Sequence, residues 1–267
     1  MIRRLLLVAL TTGVLCTTAT GAAMARDPLP ANGPDRTAVT SGPPTTPAQK
    51  AALDRKLAHV AVLAQSKKNG TNGGATAALT AYGEVSTIPR NADTNYYCGP
   101  AAIQVVSDYS WGVYKKYPQS TLASMAGTTP SNGTGITAER NVLQWAISGS
   151  PKNWFYYVVA QPTDGSYFSI LLQSDVIYDA MPIVMNLTPW AWDPSIGQYR
   201  YLVNWRNYES VDGHYVVGSG VYGGWDGTAG PELRFDDSAG GALTGSFWDS
   251  QYNTYYLISH WYNYIIW

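Results

Sequence analysis

The sequence is poor in charge, cysteine and histidine. Only 13% of its 267 residues are charged, and 17 Lys and Arg stand against 18 Asp and Glu, so we expect no basic surface for nucleic acid. Two cysteines cannot build a disulfide-dense scaffold. Three scattered histidines give no metal-ligand spacing, and we expect no metal or cofactor. After the opening residues no apolar stretch is long enough to span a membrane.

Residues 1–25 are organised like a secretory signal peptide. Arg3 and Arg4 precede an apolar run from Leu5 to Leu15, and small residues lead to an Ala-x-Ala pattern that ends at Ala25. The apolar run is too short to span a bilayer comfortably. We therefore expect cleavage after about Ala25 and a secreted (extracellular) product.

Residues 26–81 are expected to form a linker or pro-region. As far as about Pro47 the segment consists mainly of Pro, Gly, Thr, Ser and Ala, which cannot bury a core. Pro47 to Ser66 then has the spacing of a modest amphipathic helix with Thr46 as its N-cap, and residues 67–74 are turn formers. As a pro-region the segment is expected to inhibit a thiol enzyme until it is removed, and a simple spacer is the alternative.

Dense aromatic and β-branched residues predict one folded domain over residues 82–267, a size that is sufficient for a core. Helical patterns come first and strand patterns second, which predicts an α+β fold with an antiparallel sheet. The helical patterns cover 99–109, 121–125, 137–146 and 167–179, and the strand patterns cover 154–159, 182–187, 199–205, 215–222 and 233–235.

Cys98 is the candidate nucleophile. Pro100 fits the first turn of a helix, so Cys98 falls at the helix N-terminus, where the positive end of the dipole favours a thiolate. The thiolate is the nucleophilic form of cysteine, so this position suits acyl transfer. The alternative is a small buried thiol that packs under the first helix.

A cysteine nucleophile needs a base and a group that orients the base. His59 lies in the predicted helix of the linker and is most simply a surface residue or part of the helix face, and His260 is most simply a packing residue. His214 opens a predicted buried strand. An acid at the end of the neighbouring strand can accept a hydrogen bond from the second ring nitrogen, and Asp236 and Asp237 stand at that place. Turn capping is the alternative role of both acids.

Three blocks resemble the papain-like cysteine peptidases of the bacteriocin-processing, double-glycine-peptidase-like branch. They are Tyr97-Cys98-Gly99-Pro100-Ala101, Gly213-His214-Tyr215-Val216-Val217 and Asp237-Ser238-Ala239-Gly240-Gly241, and the similarity covers most of residues 86–249. The resemblance implies a papain-like α+β fold, in which an N-terminal helical part carries the cysteine and an antiparallel sheet carries the histidine and the acid.

The resemblance also implies roles for single residues. Cys98 is then the nucleophile, His214 the general base and later acid, and Asp237 the residue that orients His214. Two positions depart from the family pattern. Ser238 replaces a proline after the acid, which leaves Asp236 as a rival, and Ala92 replaces a glutamine that helps to form the oxyanion hole. Asn91 and Asn95 are the two candidates to replace that glutamine, with the backbone N–H of Cys98 as the second donor.

The resulting expectation is a secreted cysteine peptidase that cleaves peptide or amide bonds of a peptide or protein substrate through a thioester at Cys98. One alternative is an inactive module with the same fold that binds peptides or a wall polymer, since Tyr and Trp number 20 and 10 against 4 Phe. Another is acyl transfer to an amine by the same triad. Candidate groove aromatics are Trp190, Trp192, Tyr199, Tyr201, Trp205 and Trp225.

Overall fold

A computed structural model describes residues 44, 46–72, 82–208, 211–223 and 231–267, with residues 67–72 described as helical backbone only. The expected signal peptide, most of the expected linker before Pro47, and Trp225 lie outside the described residues. No helix among the described residues is long and apolar enough to cross a membrane.

Helix α1 spans Pro47–Asn72 and is longer than predicted. The expected helix ended at Ser66, because residues 67–74 are rich in turn formers. The observed helix continues through six of these residues to Asn72, and residues 73–81 lie outside the described part of the chain. Helix α1 packs against the domain that follows it.

Three helices form the first part of the domain: α2 at Cys98–Trp111, α3 at Gln119–Ala126 and α4 at Ile136–Ile147. Each begins or ends near the predicted limits. The apolar side chains of α2 and α4 meet the sheet in one buried cluster, which includes Val105, Val106 and Leu143. This packing fixes the direction of α2, and thus the place of its N-terminus.

The second part is built on a seven-stranded antiparallel sheet. The strands are β1 (Tyr82–Glu84), β2 (Val159–Ala160), β3 (Ile183–Leu187), β6 (His214–Tyr222), β7 (Glu232–Asp237), β8 (Gly245–Ser250) and β9 (Tyr264–Ile266). Their order in the sheet is β2-β9-β3-β6-β7-β8, with β1 also paired to β6. Strands β4 (Trp190–Asp193) and β5 (Gln198–Tyr201) form a separate hairpin.

Both faces of the sheet are covered. Alternate residues of a strand point to opposite faces, so Val184 and Val217 pack on the side of α2 and α4, while Met185 and Val216 pack on the other side. That other side is covered by α5 (Gly165–Gln173), which continues as a π-helix at Ser174–Tyr178, and by α6 (Gln251–Ser259).

The α+β fold predicted from the sequence is confirmed: α2, α3 and α4 precede the main strands, the sheet is antiparallel, and the helical part and the sheet carry the expected residues. Two local predictions were wrong: the pattern at 154–159 contributes only Val159 to a strand, and 199–205 divides into β5 and a 3-10 turn at Val203–Trp205. The helical pattern at 167–179 is found as α5 and the π-helix that continues it.

Candidate active site

Cys98 is the first residue of α2 and is half-buried. The N–H groups of a first helical turn have no partner within the helix, and the helix dipole adds positive potential there. The backbone N–H groups of Gly99 and Tyr215 both face the sulfur. The sulfur therefore lies where a negative charge is favoured.

His214 is the first residue of β6, and Asp237 is the last residue of β7, the neighbouring antiparallel strand. His214 Nε2 lies 2.7 Å from Asp237 Oδ1, and both side chains are buried. Since Nε2 is engaged with the carboxylate, Nδ1 is the ring nitrogen that is left for the sulfur of Cys98, and the histidine ring is hydrogen bonded to that sulfur. The structure thus brings Cys98, His214 and Asp237 together in one chain of contacts.

Asp237 is held by further donors. The indole Nε1–H of Trp205 donates to Asp237 Oδ2 over 2.7 Å, and the side-chain amide of Asn204 donates to the same oxygen over 2.9 Å. The backbone N–H of Ala239 donates to Oδ1 over 2.8 Å. The ring of Trp205 also lies edge-on to His214, with 5.4 Å between the centroids. These contacts fix the carboxylate and keep water from its bond to the histidine.

Asp236 makes a different set of contacts. Its carboxylate accepts hydrogen bonds from the hydroxyl groups of Thr87 and Ser246. Neighbouring residues of a strand point to opposite faces, so Asp236 and Asp237 cannot face the same partner. The structure therefore places Asp237, and not its rival Asp236, against His214.

The electrostatics of the three groups reinforce one another. Burial by itself raises the pKa of the Cys98 thiol, but the hydrogen bond and charge of His214, together with the backbone N–H groups of Tyr215 and Gly99, outweigh it, and the net pKa is lowered. Burial by itself lowers the pKa of His214, but Asp237 and Cys98 together outweigh it and the pKa rises from 6.5 to about 10. Burial raises the pKa of Asp237, but the charge and hydrogen bond of His214 and the hydrogen bonds from Asn204 and Trp205 together outweigh it, and the net pKa is lowered. Between the lowered thiol pKa and the raised imidazole pKa, thiolate and imidazolium coexist.

A buried acid lies next to the start of α2. Glu139 on α4 is fully buried, and neither carboxyl oxygen has a hydrogen-bond partner among the described residues. Burial, together with the nearby Cys98, raises its pKa well above the ordinary value. A Cβ atom at Gly99 would lie 2.6 Å from Glu139 Oε2 and 2.6 Å from the hydroxyl of Thr134, so only glycine fits after the cysteine.

The loop before Cys98 is tied to the rest of the domain at two points. The N–H of Ala92 donates to the carbonyl of Ser238 over 2.8 Å. The buried amide of Gln119 donates to the carbonyl of Asn91 over 2.7 Å and to Gln104 Oε1 over 3.1 Å. One N–H bond of Gln119 thus holds the loop and the other holds α2, while its carbonyl oxygen accepts from the N–H of Asp93 over 2.8 Å. Asn91, one of two candidates to replace the missing glutamine, is exposed and contributes its carbonyl to this network.

The other predicted residues lie elsewhere. His59 lies 3.4 Å from Asp179, and His260 stacks on Tyr256 with 3.8 Å between the ring centroids. Within the described ranges, no group of three or more His, Cys, Asp or Glu side chains could hold a metal ion.

The aromatic groove predicted from composition is found only in part. Trp192 and Tyr199 project from the β4–β5 hairpin, 50% and 49% exposed. Trp190 and Tyr201 are half-buried. Trp205 was expected in the groove but is buried against Asp237, because its indole N–H needs a partner in the domain.

Sequence reasoning missed the roles of Asn204, Trp205 and Glu139. Asn204 and Trp205 lie 33 and 32 positions before Asp237 along the chain, so no local spacing connects them. Glu139 reads as an ordinary polar position of an amphipathic helix. A fully buried acid in such a pattern can be found only after the helix has been placed on the sheet.

Comparison with known proteins gives a limited result. No family model matches the chain, and no curated protein matches it. Solved structures similar to it include bromelain from Ananas comosus in complex with the E64 inhibitor, at 12% identity and a TM-score of 0.42, covering 69% of this chain and 93% of that one. Procathepsin L 3 of Tenebrio molitor larval midgut is 10% identical with a TM-score of 0.45, covering 84% and 93%. The distances and burial described above, and not these similarities, support the function proposed below.

Proposed function

We propose that the protein is a cysteine peptidase-like hydrolase that cleaves peptide or amide bonds. The single observation that carries this proposal is the contact chain from the Cys98 sulfur through His214 to Asp237, at the N-terminus of a helix. A nucleophile, a base and a group that orients the base are the three parts that acyl transfer by cysteine requires. The raised pKa of His214 lets its ring keep the proton that the thiol gives up.

The reaction has two steps. The Cys98 thiolate attacks the carbonyl carbon of the substrate, and the C–N bond breaks as the imidazolium of His214 donates its proton to the leaving amine. A thioester at Cys98 remains. His214 then removes a proton from water, the hydroxide attacks the thioester, and the acid product leaves as the thiolate is restored. The backbone N–H of Cys98 is proposed as one donor to the oxyanion, and the side chain of Asn95, in the loop before α2, as the second.

The test is hydrolysis of a defined peptide mixture, followed by mass spectrometry. Cys98→Ala is expected to reduce turnover at least about a thousandfold, since residues that act as a unit lose most of their effect together. Asp236→Asn serves as the matched control, because its carboxylate faces Thr87 and Ser246, and it is expected to leave turnover unchanged. A mass increase on Cys98 that matches an acyl fragment would support the thioester. Undiminished hydrolysis by Cys98→Ala would exclude it.

We also propose that the protein is exported and that it belongs to the bacteriocin-processing branch of the papain-like peptidases. Both derive from the sequence: the first from residues 1–25, the second from the three motif blocks around Cys98, His214 and Asp237. N-terminal analysis of the protein from culture medium tests the first, with Arg26 expected as the first residue. Cleavage after paired glycines in the peptide mixture tests the second.

A second candidate function is the binding of an extended polymer without catalysis. The exposed Trp192 and Tyr199 on the β4–β5 hairpin favour it, since aromatic side chains with exposed faces suit such contacts. Polymer binding by the wild type, together with a Cys98 thiol of ordinary reactivity, would favour this function. Acyl transfer would instead appear as a new amide product when an amine is added to the assay.

A further inference from the structure

Helix α1 packs on the domain with one face, and a lysine lies within that face. Ala52, Lys56 and Leu63 are buried, at spacings of four and seven that place them on one side of a helix. Val60 packs partly against the apolar cluster on the side of α5 and α6. A lysine inside a buried helical face is unusual, because burial of an ammonium group is costly unless the group is compensated.

The Lys56 ammonium is enclosed by aromatic rings. Its Nζ lies 4.3 Å from the ring centroid of Phe155, 4.3 Å from that of Trp267 and 5.6 Å from that of Tyr157. Each distance is within the range in which a cation is attracted to the face of a ring. Phe155 and Tyr157 precede β2, and Trp267 follows β9, so the rings come from two segments of the sheet domain.

An acid and a carbonyl complete the enclosure. Lys56 Nζ lies 3.1 Å from Asp175 Oδ2 and 3.4 Å from the carbonyl oxygen of Tyr156. Lys56 is 1% exposed and Asp175 is 0% exposed. Burial lowers the pKa of Lys56 to about 8, and Asp175 opposes this shift. Removal of one partner from such a buried pair leaves the other uncompensated, which is strongly destabilising. We call the surroundings of this ammonium the Lys56 cage: the side chains of Phe155, Tyr157, Trp267 and Asp175 and the carbonyl of Tyr156.

Asp179 provides a second anchor for α1. Arg55 Nε and His59 Nδ1 each lie 3.4 Å from its carboxylate. The guanidinium of Arg55 also lies 5.0 Å from the ring centroid of Trp154. Arg55 and His59 flank Lys56 on the helix, so α1 presents a cluster of basic side chains to two buried acids of the domain.

The Lys56 cage and the contacts of Asp179 with α1 lie away from Cys98. Asp175 and Asp179 precede β3, and the first residue of β3, Ile183, pairs with Gly218. His214 pairs with the last residue of the same strand. Four steps along a strand correspond to about 13 Å. Helix α1 is therefore anchored at the far end of β3 from the candidate active site, a position that does not suit occlusion of the cysteine.

We propose that the Lys56 cage is a binding site for a lysine ammonium presented on a helix, and that it retains α1 on the domain as a separate chain after the segment between them is cut. The occupant is residues 47–72 of this same chain. The connecting residues 73–81 are then dispensable for holding α1. The proposal does not depend on the peptidase reaction, because it is assayed by mass and not by turnover.

The experiment uses the full chain with a recognition sequence for a specific protease inserted between residues 73 and 81. The protein is folded intact, cut, diluted and passed over a size-exclusion column, and each peak is analysed by intact mass. The α1 fragment is expected to elute with the domain. Separate elution of the two wild-type fragments at micromolar concentration would overturn the proposal.

Two matched lysine variants test the cage itself. Lys56→Met keeps an unbranched apolar side chain but removes the ammonium, and it is expected to raise the dissociation constant of the cut helix at least about tenfold. Lys50→Met on the same helix is expected to leave it unchanged, because the exposed side chain of Lys50 pairs with the exposed Asp54. Equal retention in the two variants would overturn the assigned role of Lys56.

A measurement on the wild type covers the case in which Lys56→Met does not fold. In protein labelled with carbon-13 at the lysine ε-carbon, three aromatic rings around one ammonium should shift one ε-methylene proton signal away from those of the exposed lysines. The shifted signal is expected both before and after the cut. Its absence from the intact protein, or its loss on cutting, would contradict the proposal.

Discussion

Asp237→Asn removes the negative charge beside His214 and keeps the size of the side chain. Two unit charges about 4 Å apart are worth about 4 kcal/mol at an effective dielectric constant of about 20. One pKa unit corresponds to about 1.4 kcal/mol, so this interaction accounts for a shift of about three units. A shift of that size is a substantial part of the rise in the pKa of His214 from 6.5 to about 10, which burial opposes and to which the hydrogen bonds with Asp237 and Cys98 and the charge of Cys98 also contribute.

The variant should return the pKa of His214 towards its ordinary value. The imidazolium would then be lost as the pH rises through about 7, and the Cys98 thiolate would lose the positive charge that stabilises it. We expect the pKa of Cys98 to rise by at least about one unit. The assay is the ultraviolet absorbance of the thiolate as a function of pH, with Cys98→Ala as the blank.

Asp236→Asn is the control, because it changes the same kind of charge one residue away. Its carboxylate interacts with Thr87 and Ser246, so the thiolate titration should match that of the wild type. The reasoning is refuted if Asp237→Asn titrates like the wild type, or if Asp236→Asn shifts the pKa of Cys98 by the larger amount.

Three further changes test the surroundings of the site. Trp205→Phe keeps an aromatic ring but removes the indole N–H that binds Asp237, and should lower kcat/KM about tenfold; an unchanged value would contradict this. Glu139→Gln should leave the pKa of Cys98 unchanged within about half a unit, because a neutral acid is replaced by a neutral amide; a clear fall would show that Glu139 is ionised. Gly99→Ala should lower the Tm by several degrees, since its Cβ would clash with Glu139. Gly135→Ala is the control, because nothing lies within 4 Å of a Cβ at that position, and an equal fall in its Tm would refute the clash.

The main features of the fold could be predicted because they follow local patterns. The apolar spacing after Cys98 predicts α2, and the run from His214 predicts β6 with the acid at the end of β7. Helix α6 could not be predicted in this way, because its nine residues are mostly polar or aromatic and carry no clear apolar stripe. Its place depends on packing against α5 and β3.

In the site, too, some residues could be predicted from local patterns and others depend on packing. The positions of Cys98 and His214 follow from motifs, but the choice between Asp236 and Asp237 depends on which of the two side chains points to the same face of the sheet as His214. The burial of Lys56 is even less predictable from the sequence. By its type a lysine is expected on the exposed side of an amphipathic helix, and only the three rings and the acid contributed by distant segments make its burial favourable.

The most direct test of the central claim is the rate of Cys98 alkylation by iodoacetamide as a function of pH, in the wild type and in His214→Ala. His260→Ala, whose ring stacks on Tyr256 away from the site, is the matched control. If Cys98 and His214 form an ion pair, the wild type and the control react rapidly at pH values below the ordinary thiol range, and His214→Ala reacts only as the pH approaches that range. An ordinary thiol profile in all three proteins would contradict the proposed function.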